Sequence, residues 1–196
     1  MINPLLQQTM LENGGYVTAK QVQSLGLSRT RISQYIKAGE LLRAAHGIYI
    51  LPDTVEDDMY TLMLRSEKLI FSHESALLLN KLSDRTTFIH SLTYPSNASI
   101  PKSIQAECAC YYVKPELHPM GRIQTQTTFG HRVNCYNAER TVCDLLRSRA
   151  RIDEETVLSA VRNYAAAKNK DLFLLAEYSS RLGVSGILRK YLEVLL

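Results

Sequence analysis

Hydrophobic residues recur at helical spacing in three short runs within the first forty residues, and each run begins after a residue type that commonly caps helices. Only the turn Gly-Leu-Ser separates the second run from the third, which is the spacing of a helix-turn-helix. The pattern therefore predicts three helices. Their predicted caps are Asn3, Thr18 and Ser28, their inward residues include Leu5, Leu6, Met10, Val22, Leu25, Ile32 and Ile36, and glycines end them at Gly14, Gly26 and Gly39.

The residues that follow Gly39 predict a β-hairpin. Residues 41–43 form one predicted strand, residues 44–47 form a tight turn in which Gly47 takes a positive φ, and residues 48–51 form the return strand. Pro52 ends this strand. Three helices followed by a hairpin are the elements of a winged helix, so we expect a winged helix-turn-helix domain over residues 1–52.

The remainder of the chain, residues 53–196, mixes strand-like and helical patterns and forms the second predicted domain. A helix capped by Asp53 or Thr54 comes first, and a helix capped by Ser72 follows it. The pattern then predicts a mixed sheet and a helical end, so the expected fold class of the whole chain is α+β. The predicted strands lie at 88–94, 108–114, 122–129 and 132–136, and the four final helices follow Asn137, Asp153, Asp171 and Ser185.

The composition fits this picture and narrows the class of protein. Of the 196 residues, 45% are hydrophobic and 21% are charged, as in ordinary globular proteins. No apolar run is long enough to cross a membrane and no basic leader precedes an apolar segment, so we expect a cytoplasmic protein that binds no membrane. The net charge is +3 over residues 1–50 and −3 over residues 51–100. This contrast favours a small cationic module for an anionic partner, placed ahead of a different second domain.

The third predicted helix carries a polar, cationic face without acidic residues, opposite Ile32 and Ile36. Arginine and glutamine form paired hydrogen bonds with guanine and adenine, whereas serine, threonine and lysine contact phosphates. Arg31 and Tyr35 lie at the flanks, where they contact the DNA backbone or pack on the first helix. The alternative is a solvated face without function. The candidate DNA-binding residues are Ser28, Arg29, Thr30, Arg31, Ser33, Gln34 and Lys37 on the helix, with Arg43 and His46 on the wing.

The residues themselves resemble a known family. The segment GLSRTRISQYIKAGELLRAAHGIYILP resembles the winged-helix module of the AbiEi family, the antitoxins and transcriptional regulators of bacterial type IV toxin–antitoxin systems. Three later segments, FSHESALLLNKL, FIHSLTYP and NAERTVCDLLR, are similar to blocks of the family's C-terminal domain and follow in the family's order. The last fifty residues match only in their helical character.

The resemblance implies two functions in one chain, connected with abortive infection by phage. The N-terminal domain would bind inverted repeats in double-stranded promoter DNA and repress its own operon. The C-terminal domain would neutralise a nucleotidyltransferase-like toxin without forming a stable complex with it. For DNA, the matching positions are the helix from Ser28 to Lys37 and the wing from Arg43 to Gly47. The resemblance supplies no catalytic motif, so we expect no enzyme activity, no cofactor and no metal.

A second basic group lies between residues 122 and 151. Two interpretations stay open: a contact of the second domain with DNA or RNA, or solvated arginines around the end of a helix. The members of this group are Arg122, Arg132, Arg140, Arg147, Arg149 and Arg151.

Three other clusters of polar residues favour a structural role over a catalytic or metal-binding one. The His-Glu-Ser run at residues 73–75 is consecutive on a predicted helix, so its side chains point in different directions. Cys108 and Cys110 share a strand face and would need a histidine to hold a metal, with two small buried hydrophobes as the alternative. Arg140 and Asp144 are spaced for an ion pair within one helix.

The remaining alternatives to an antitoxin are a winged-helix regulator with a ligand-sensing second domain and a nuclease that the winged helix directs to DNA.

Overall fold

The structure is a computed structural model that describes residues 2–195, and the chain divides into two compact units. Within the described residues, unit 1 runs to Glu67 and also contains Thr127–His131. Unit 2 contains Lys68–Gln126 and the chain from Arg132 onward. The predicted α+β class, with an N-terminal winged helix and a mixed second domain that ends in helices, is confirmed.

Unit 1 is a winged helix followed by one further helix. Its three strands form an antiparallel sheet in the order β1-β3-β2, with β1 inserted between the first two helices. The sequence pattern does not predict β1, because a strand of three residues is recognised only by its pairing with β3. The elements are α1 (Pro4–Glu12), β1 (Tyr16–Thr18), α2 (Ala19–Ser24), α3 (Arg29–Lys37), β2 (Leu42–Ala45), β3 (Ile48–Ile50) and α4 (Asp58–Arg65).

All three predicted helix caps of the winged helix form. The side chain of Asn3 accepts hydrogen bonds from the first turn of α1, Thr18 forms a reciprocal cap with Gln21, and Ser28 caps α3. Leu5, predicted to face inward, is 61% exposed, because Leu6 and Met10 already provide the buried i, i+4 face of the helix. The buried cluster contains Leu6, Met10, Val17, Val22, Ile32, Tyr35 and Leu41.

The helix that follows the wing begins later than predicted. Its cap is Asp57 and not Asp53 or Thr54. The buried carboxylate of Asp57 accepts hydrogen bonds from Tyr60 N (3.1 Å), Thr127 Oγ1 (2.6 Å) and His131 Nδ1 (2.8 Å). A partly solvated cap at residue 53 or 54 would lack these partners. Unit 1 thus extends past residue 52, while independent folding of residues 53–196 stays a prediction.

Unit 2 contains a five-stranded mixed sheet in the order β6-β5-β4-β8-β7. The pairs β5–β6 and β4–β8 are parallel, whereas β4–β5 and β7–β8 are antiparallel. The strands are β4 (Ile70–Phe71), β5 (Ser91–Pro95), β6 (Ala109–Val113), β7 (Arg122–Gln126) and β8 (Arg132–Tyr136). The helices are α5 (His73–Leu79), α6 (Lys102–Glu107), α7 (Ala138–Arg147), α8 (Glu154–Ala166), α9 (Leu172–Arg181) and α10 (Ser185–Leu195).

Three of the four final helices begin after their predicted caps, Asn137, Asp153 and Asp171, whereas α10 includes Ser185 as its first residue. Several strands also differ from the sequence pattern. Neither β4 nor α6 is predicted, since two residues are too few to show an alternating pattern and α6 has only one buried residue. Phe88 and Ile89, predicted within a strand, lie outside β5 and are exposed. The strand β7 ends at Gln126, before the turn that Thr127 N and His131 O close.

Helix α7 lies at the centre of the unit 2 core and carries a buried charged pair. Arg140 Nε donates to Asp144 Oδ2 at 3.0 Å, which confirms the predicted ion pair. Arg140 is fully buried, and its Nη1 donates to the backbone oxygens of Leu117 and Met120. Burial raises the pKa of Asp144 above its ordinary value, while the nearby guanidinium of Arg140 opposes this rise.

His73 begins α5 and is buried in unit 2 with a positive φ of 47°. Its Nδ1 lies 2.9 Å from Ser72 Oγ, and its Nε2 lies 2.9 Å from Ser148 Oγ. The imidazole also stacks on the ring of Tyr111, with 3.5 Å between the ring centroids. Burial, reinforced by Arg140 and two further arginines, lowers the pKa of His73 to about 3, so this side chain is neutral at physiological pH.

The lowered pKa of His73 makes unfolding pH-dependent. Between its folded pKa of about 3 and the ordinary value of 6.5, the unfolded chain binds a proton that the folded chain excludes. The free energy of unfolding should therefore fall by about 1 kcal/mol for each pH unit between pH 6 and pH 4 through this group alone. Urea unfolding followed by circular dichroism, compared between the wild type and His73→Phe, measures this contribution. Equal pH slopes for the two proteins would contradict it.

Candidate DNA-binding interface

Helix α3 presents its polar residues to solvent, as its pattern predicts. Ile32 and Tyr35 are each 3% exposed and hold the helix on the unit 1 core, and Ile36 is half-buried. No acidic side chain lies within α3. The exposed residues of the helix are Arg29, Thr30, Arg31, Ser33, Gln34 and Lys37. The structure therefore brings six of the seven predicted helix residues together on one exposed surface, which we call the α3 face, and the seventh, Ser28, is the N-cap of the helix.

Tyr35 fixes the position of α3 relative to α1. Its hydroxyl oxygen accepts hydrogen bonds from Asn3 N and from Arg31 Nε, both at 3.1 Å. The guanidinium of Arg31 also lies over the Tyr35 ring, 5.1 Å from its centroid. The sequence left two alternatives for Tyr35, and the structure places it in the core against the start of α1. The signal for this role is a tyrosine one helical turn after an arginine, next to a buried isoleucine.

Two side chains of the α3 face are oriented by neighbours on the same helix. Gln34 Oε1 accepts a hydrogen bond from Arg31 Nη1 at 3.3 Å, and Ser33 Oγ donates to Arg29 O at 3.1 Å. Ser28 Oγ accepts from Arg31 N as the helix cap. A held Gln34 loses less rotamer freedom when it binds a base edge, which favours base recognition by this residue.

In the wing, which lies between β2 and β3, the side chains of the two predicted contact residues contact each other. Arg43 Nη2 lies 3.0 Å from His46 Nδ1, and Arg43 Nε donates to Ala45 O at 3.4 Å. Since a guanidinium only donates, Nδ1 must accept, and the imidazole proton then lies on Nε2. The Nε2 atom of His46 is thus available as a hydrogen-bond donor. Gly47 completes the turn with a φ of 74°, as predicted.

The winged helix lies within the part of the chain that a family model matches. Residues 8–52 match the model described as "Transcriptional regulator, AbiEi antitoxin". This match confirms the predicted resemblance for most of the winged helix. DNA binding is the property that a transcriptional regulator of this kind implies. No curated protein matches the chain.

The fold of the whole chain is also similar to a solved structure. The crystal structure of RV2827C protein from Mycobacterium tuberculosis superposes with a TM-score of 0.61 at 10% sequence identity. The superposition covers 97% of this chain and 79% of that chain. At this identity the likeness concerns the fold alone, and it extends well beyond the residues that match the AbiEi model.

The second basic group does not form one surface patch. Arg140 is fully buried in its ion pair, so it is unavailable for a nucleic-acid contact, and its inclusion in a surface patch is wrong. Arg122 pairs with Tyr136 and Arg132 pairs with Gln126, at opposite ends of the β7–β8 pair. Four residues of strand separate them, or roughly 13 Å. Arg147, Arg149 and Arg151 are exposed at the end of α7 and in the 3₁₀ turn after it.

The side chains of the other candidate clusters contact their neighbours in ways that indicate a structural role. His73 bonds to Ser72 and Ser148 rather than to Glu74 or Ser75, so the run at residues 73–75 is not a catalytic triad. Among the residues that the structure describes, no three His, Cys, Asp or Glu side chains are grouped to hold a metal ion. Over the same residues, no helix is long and apolar enough to cross a membrane.

The turn of the wing allows a direct test of its backbone. A Cβ at position 47 would lie 3.5 Å from the Cβ of Ala19, an ordinary contact, so the cost of substitution comes from the positive φ. Gly47→Val should destabilise unit 1 by about 1 to 2 kcal/mol and weaken DNA binding, because a β-branched residue avoids this backbone region. Gly47→Asn is the control, since asparagine tolerates positive φ. Thermal unfolding and gel-shift assays on both variants check this, and equal behaviour of the two would contradict it.

Proposed function

We propose that this protein is a type IV antitoxin with two activities. It represses its own operon by binding inverted repeats in the promoter, and it neutralises a nucleotidyltransferase-like toxin encoded beside it without forming a stable complex. The main support for this proposal is that two independent observations concern the same segment. Residues 8–52 match the AbiEi antitoxin model, and the same segment presents a cationic, acid-free helix face with a cationic wing.

The α3 face supplies the chemistry that base recognition needs. In a helix-turn-helix protein the recognition helix enters the major groove with its N-terminal residues against the base edges. Arg29 lies in the first turn of α3 and Gln34 follows five residues later, about 1.4 turns along the helix, so we expect both to reach the same groove. Lys37 lies in the last turn, where a phosphate contact fits its single charge. Arg43 and His46 on the wing meet phosphates or the adjacent groove.

Inverted repeats imply two copies of the winged helix on one DNA site. Recognition helices that read the same face of B-DNA bind half-sites separated by about 10 base pairs or a multiple of this distance. This geometry predicts that the operator shows two matching half-sites at that spacing. It also predicts that a single half-site binds far more weakly than the complete repeat.

The antitoxin activity is assigned to unit 2, because the AbiEi resemblance continues in segments of that unit. A winged-helix regulator with a ligand-sensing second domain is the second candidate. One observation favours it, namely a cavity in unit 2 lined by arginines. Loss of promoter binding on addition of a small ligand would distinguish this regulator from the antitoxin.

The DNA-binding half of the proposal predicts distinct effects for two kinds of residue. Arg29→Ala or Gln34→Ala should each cost about 1 to 3 kcal/mol at the operator and relax the base preference at one position. Lys37→Ala should weaken binding to all sequences and lower the slope of log affinity against log salt by about 0.9. Fluorescence anisotropy with labelled operator and scrambled DNA, over a range of salt concentrations, measures both effects.

Two exposed cations of unit 2 serve as matched controls for this experiment. Arg162→Ala and Lys168→Ala remove the same charges outside the winged helix, so they should leave operator affinity within about twofold of wild type. A folded Arg29→Ala/Gln34→Ala double variant with wild-type operator affinity would overturn the assignment of α3 as the recognition helix.

The two activities should separate in cells. The Arg29→Ala/Gln34→Ala variant should lose repression of a promoter reporter, because its DNA contacts are missing, yet still restore growth to cells that express the adjacent toxin gene. The wild-type protein and an empty vector give the two limits of the assay. A variant that loses both activities while remaining folded and abundant would show that neutralisation requires DNA binding, and the two-activity proposal would fail.

A further inference from the structure

Unit 2 contains a cationic cavity of about 260 Å³ that is partly open to solvent. It lies among α5, the parallel strands β5 and β6, and the end of α7 with the 3₁₀ turn that follows. Polar, aromatic and charged side chains line it, which is unusual for a space that only reflects imperfect packing. The side chains that matter for its chemistry are His73, Thr93, Tyr111, Arg140, Arg147 and Arg151.

The charge of the cavity is strongly positive. Its lining contains three arginines and one acidic residue, Asp144, and that acid is already paired with Arg140. Within the described part of the chain, neither Arg147 nor Arg151 forms an ion pair with an acidic side chain. The guanidinium of Arg151 lies 4.5 Å from the centroid of the Tyr111 ring, which orients it at the cavity wall. Two arginine charges are thus left without compensation beside a small cavity.

Arg140 adds an unsatisfied donor at the same place. The side chain is fully buried, Nε and Nη1 have their partners, and Nη2 makes no hydrogen bond to any residue among 2–195. A buried guanidinium nitrogen without an acceptor is costly, so native structures usually satisfy it. This nitrogen is closed off from solvent, so Arg140 adds positive charge beside the cavity but does not donate into it.

His73 and Tyr111 form a rigid, neutral part of the lining. His73 holds a positive φ of 47°, which non-glycine residues adopt mainly where the surroundings enforce it. Serine hydroxyls hold both ring nitrogens, and the ring stacks on Tyr111. The arginines of the cavity contribute to the lowered pKa of His73, which reflects the positive potential at this place. A strained, locked histidine against an aromatic ring is typical of a binding site and adds little to packing.

We propose that this cavity binds the phosphate group of a small phosphorylated molecule, with Arg147 and Arg151 as its donors and the buried charge of Arg140 as a further source of positive potential. The inference goes beyond the proposed antitoxin function, and it names a ligand class for the cavity that favours the ligand-sensing alternative. Guanidinium groups match phosphate oxygens in geometry as well as charge. A small molecule fits better than a nucleic-acid backbone, because the space is small and the buried His73 forms part of its lining.

Isothermal titration calorimetry on the full chain tests the proposal. Pyrophosphate and adenosine 5′-monophosphate are the two probes, titrated separately at 0.15 M salt. Saturable binding with one site per chain is expected for at least one of them. Binding of pyrophosphate alone identifies a free phosphate as the ligand class, and tighter binding of the nucleotide identifies a phosphorylated organic molecule. Absence of saturable binding by both probes would overturn the proposal.

The exposed arginines allow variants that do not disturb the core. Arg147→Ala and Arg151→Ala should each weaken binding of the probe roughly tenfold or more, since each removes a charge-assisted hydrogen bond. Arg149→Ala is the matched control, because Arg149 lies between them, is exposed, does not line the cavity and donates to Leu146 O. An equal loss in Arg149→Ala, or unchanged affinity in the Arg147→Ala/Arg151→Ala double variant, would overturn the assignment. So would competition of the probe by a short DNA duplex, which would indicate a backbone contact instead.

Discussion

The buried guanidinium of Arg140 is the interaction on which the structure of unit 2 depends. It joins α7 to the backbone at Leu117 and Met120, and it lies over the ring of Tyr136 on β8, 4.2 Å from its centroid. Three parts of the unit therefore meet at one side chain. Charges are expensive to bury, and Asp144 together with two carbonyl oxygens offsets that cost. Removal of one partner of such a pair typically costs about 3 to 5 kcal/mol.

The same constraint explains local features around α7. A Cβ at Gly121 would lie 2.8 Å from the Cβ of Arg140 and 2.9 Å from Asn137 Oδ1, so the chain passes this helix at a distance that only glycine allows. Gly121 also has a φ of 76°. The charge of Arg140 also contributes to the positive potential at the proposed phosphate site. One residue thus supports the core and lines the cavity.

Unit 1 also contains buried polar side chains that join its elements. The hydroxyl of Tyr35 joins the start of α1 to Arg31, and the carboxylate of Asp57 joins α4 to Thr127 and His131. Both polar atoms are buried or nearly so, and each has several partners. Fixed in this way, α3 has one orientation on its core. A recognition helix needs such rigidity, because base edges discriminate only when the reading side chains are held in register.

The match to the AbiEi model ends at residue 52, whereas the structural likeness covers nearly the whole chain. Winged helices retain recognisable sequence because caps, turn glycines and a buried face are confined to about fifty consecutive residues. The second unit assembles its sheet from short strands that are distant in sequence, and many sequences satisfy that arrangement. The sequence match therefore concerns the N-terminal module, whereas for unit 2 the solved structure shows a likeness of fold.

The sequence alone determined the features that depend only on residues close together in the chain. Asn3, Thr18 and Ser28 cap their helices because a side-chain oxygen and the nearby amides are neighbours in the chain, and Gly47 turns the wing because only its own backbone is involved. The ion pair of Arg140 with Asp144 follows from helical spacing in the same way.

Tertiary structure decided everything that requires partners from elsewhere in the chain. The strand β4 exists because β5 and β8 lie on either side of it, and α4 begins at Asp57 because Thr127 and His131 supply donors from seventy residues away. Burial likewise removed Arg140 from the surface patch that its charge suggested. The cavity of unit 2 is invisible in the sequence, since His73, Tyr111 and Arg151 become neighbours only when separate elements pack and exclude water.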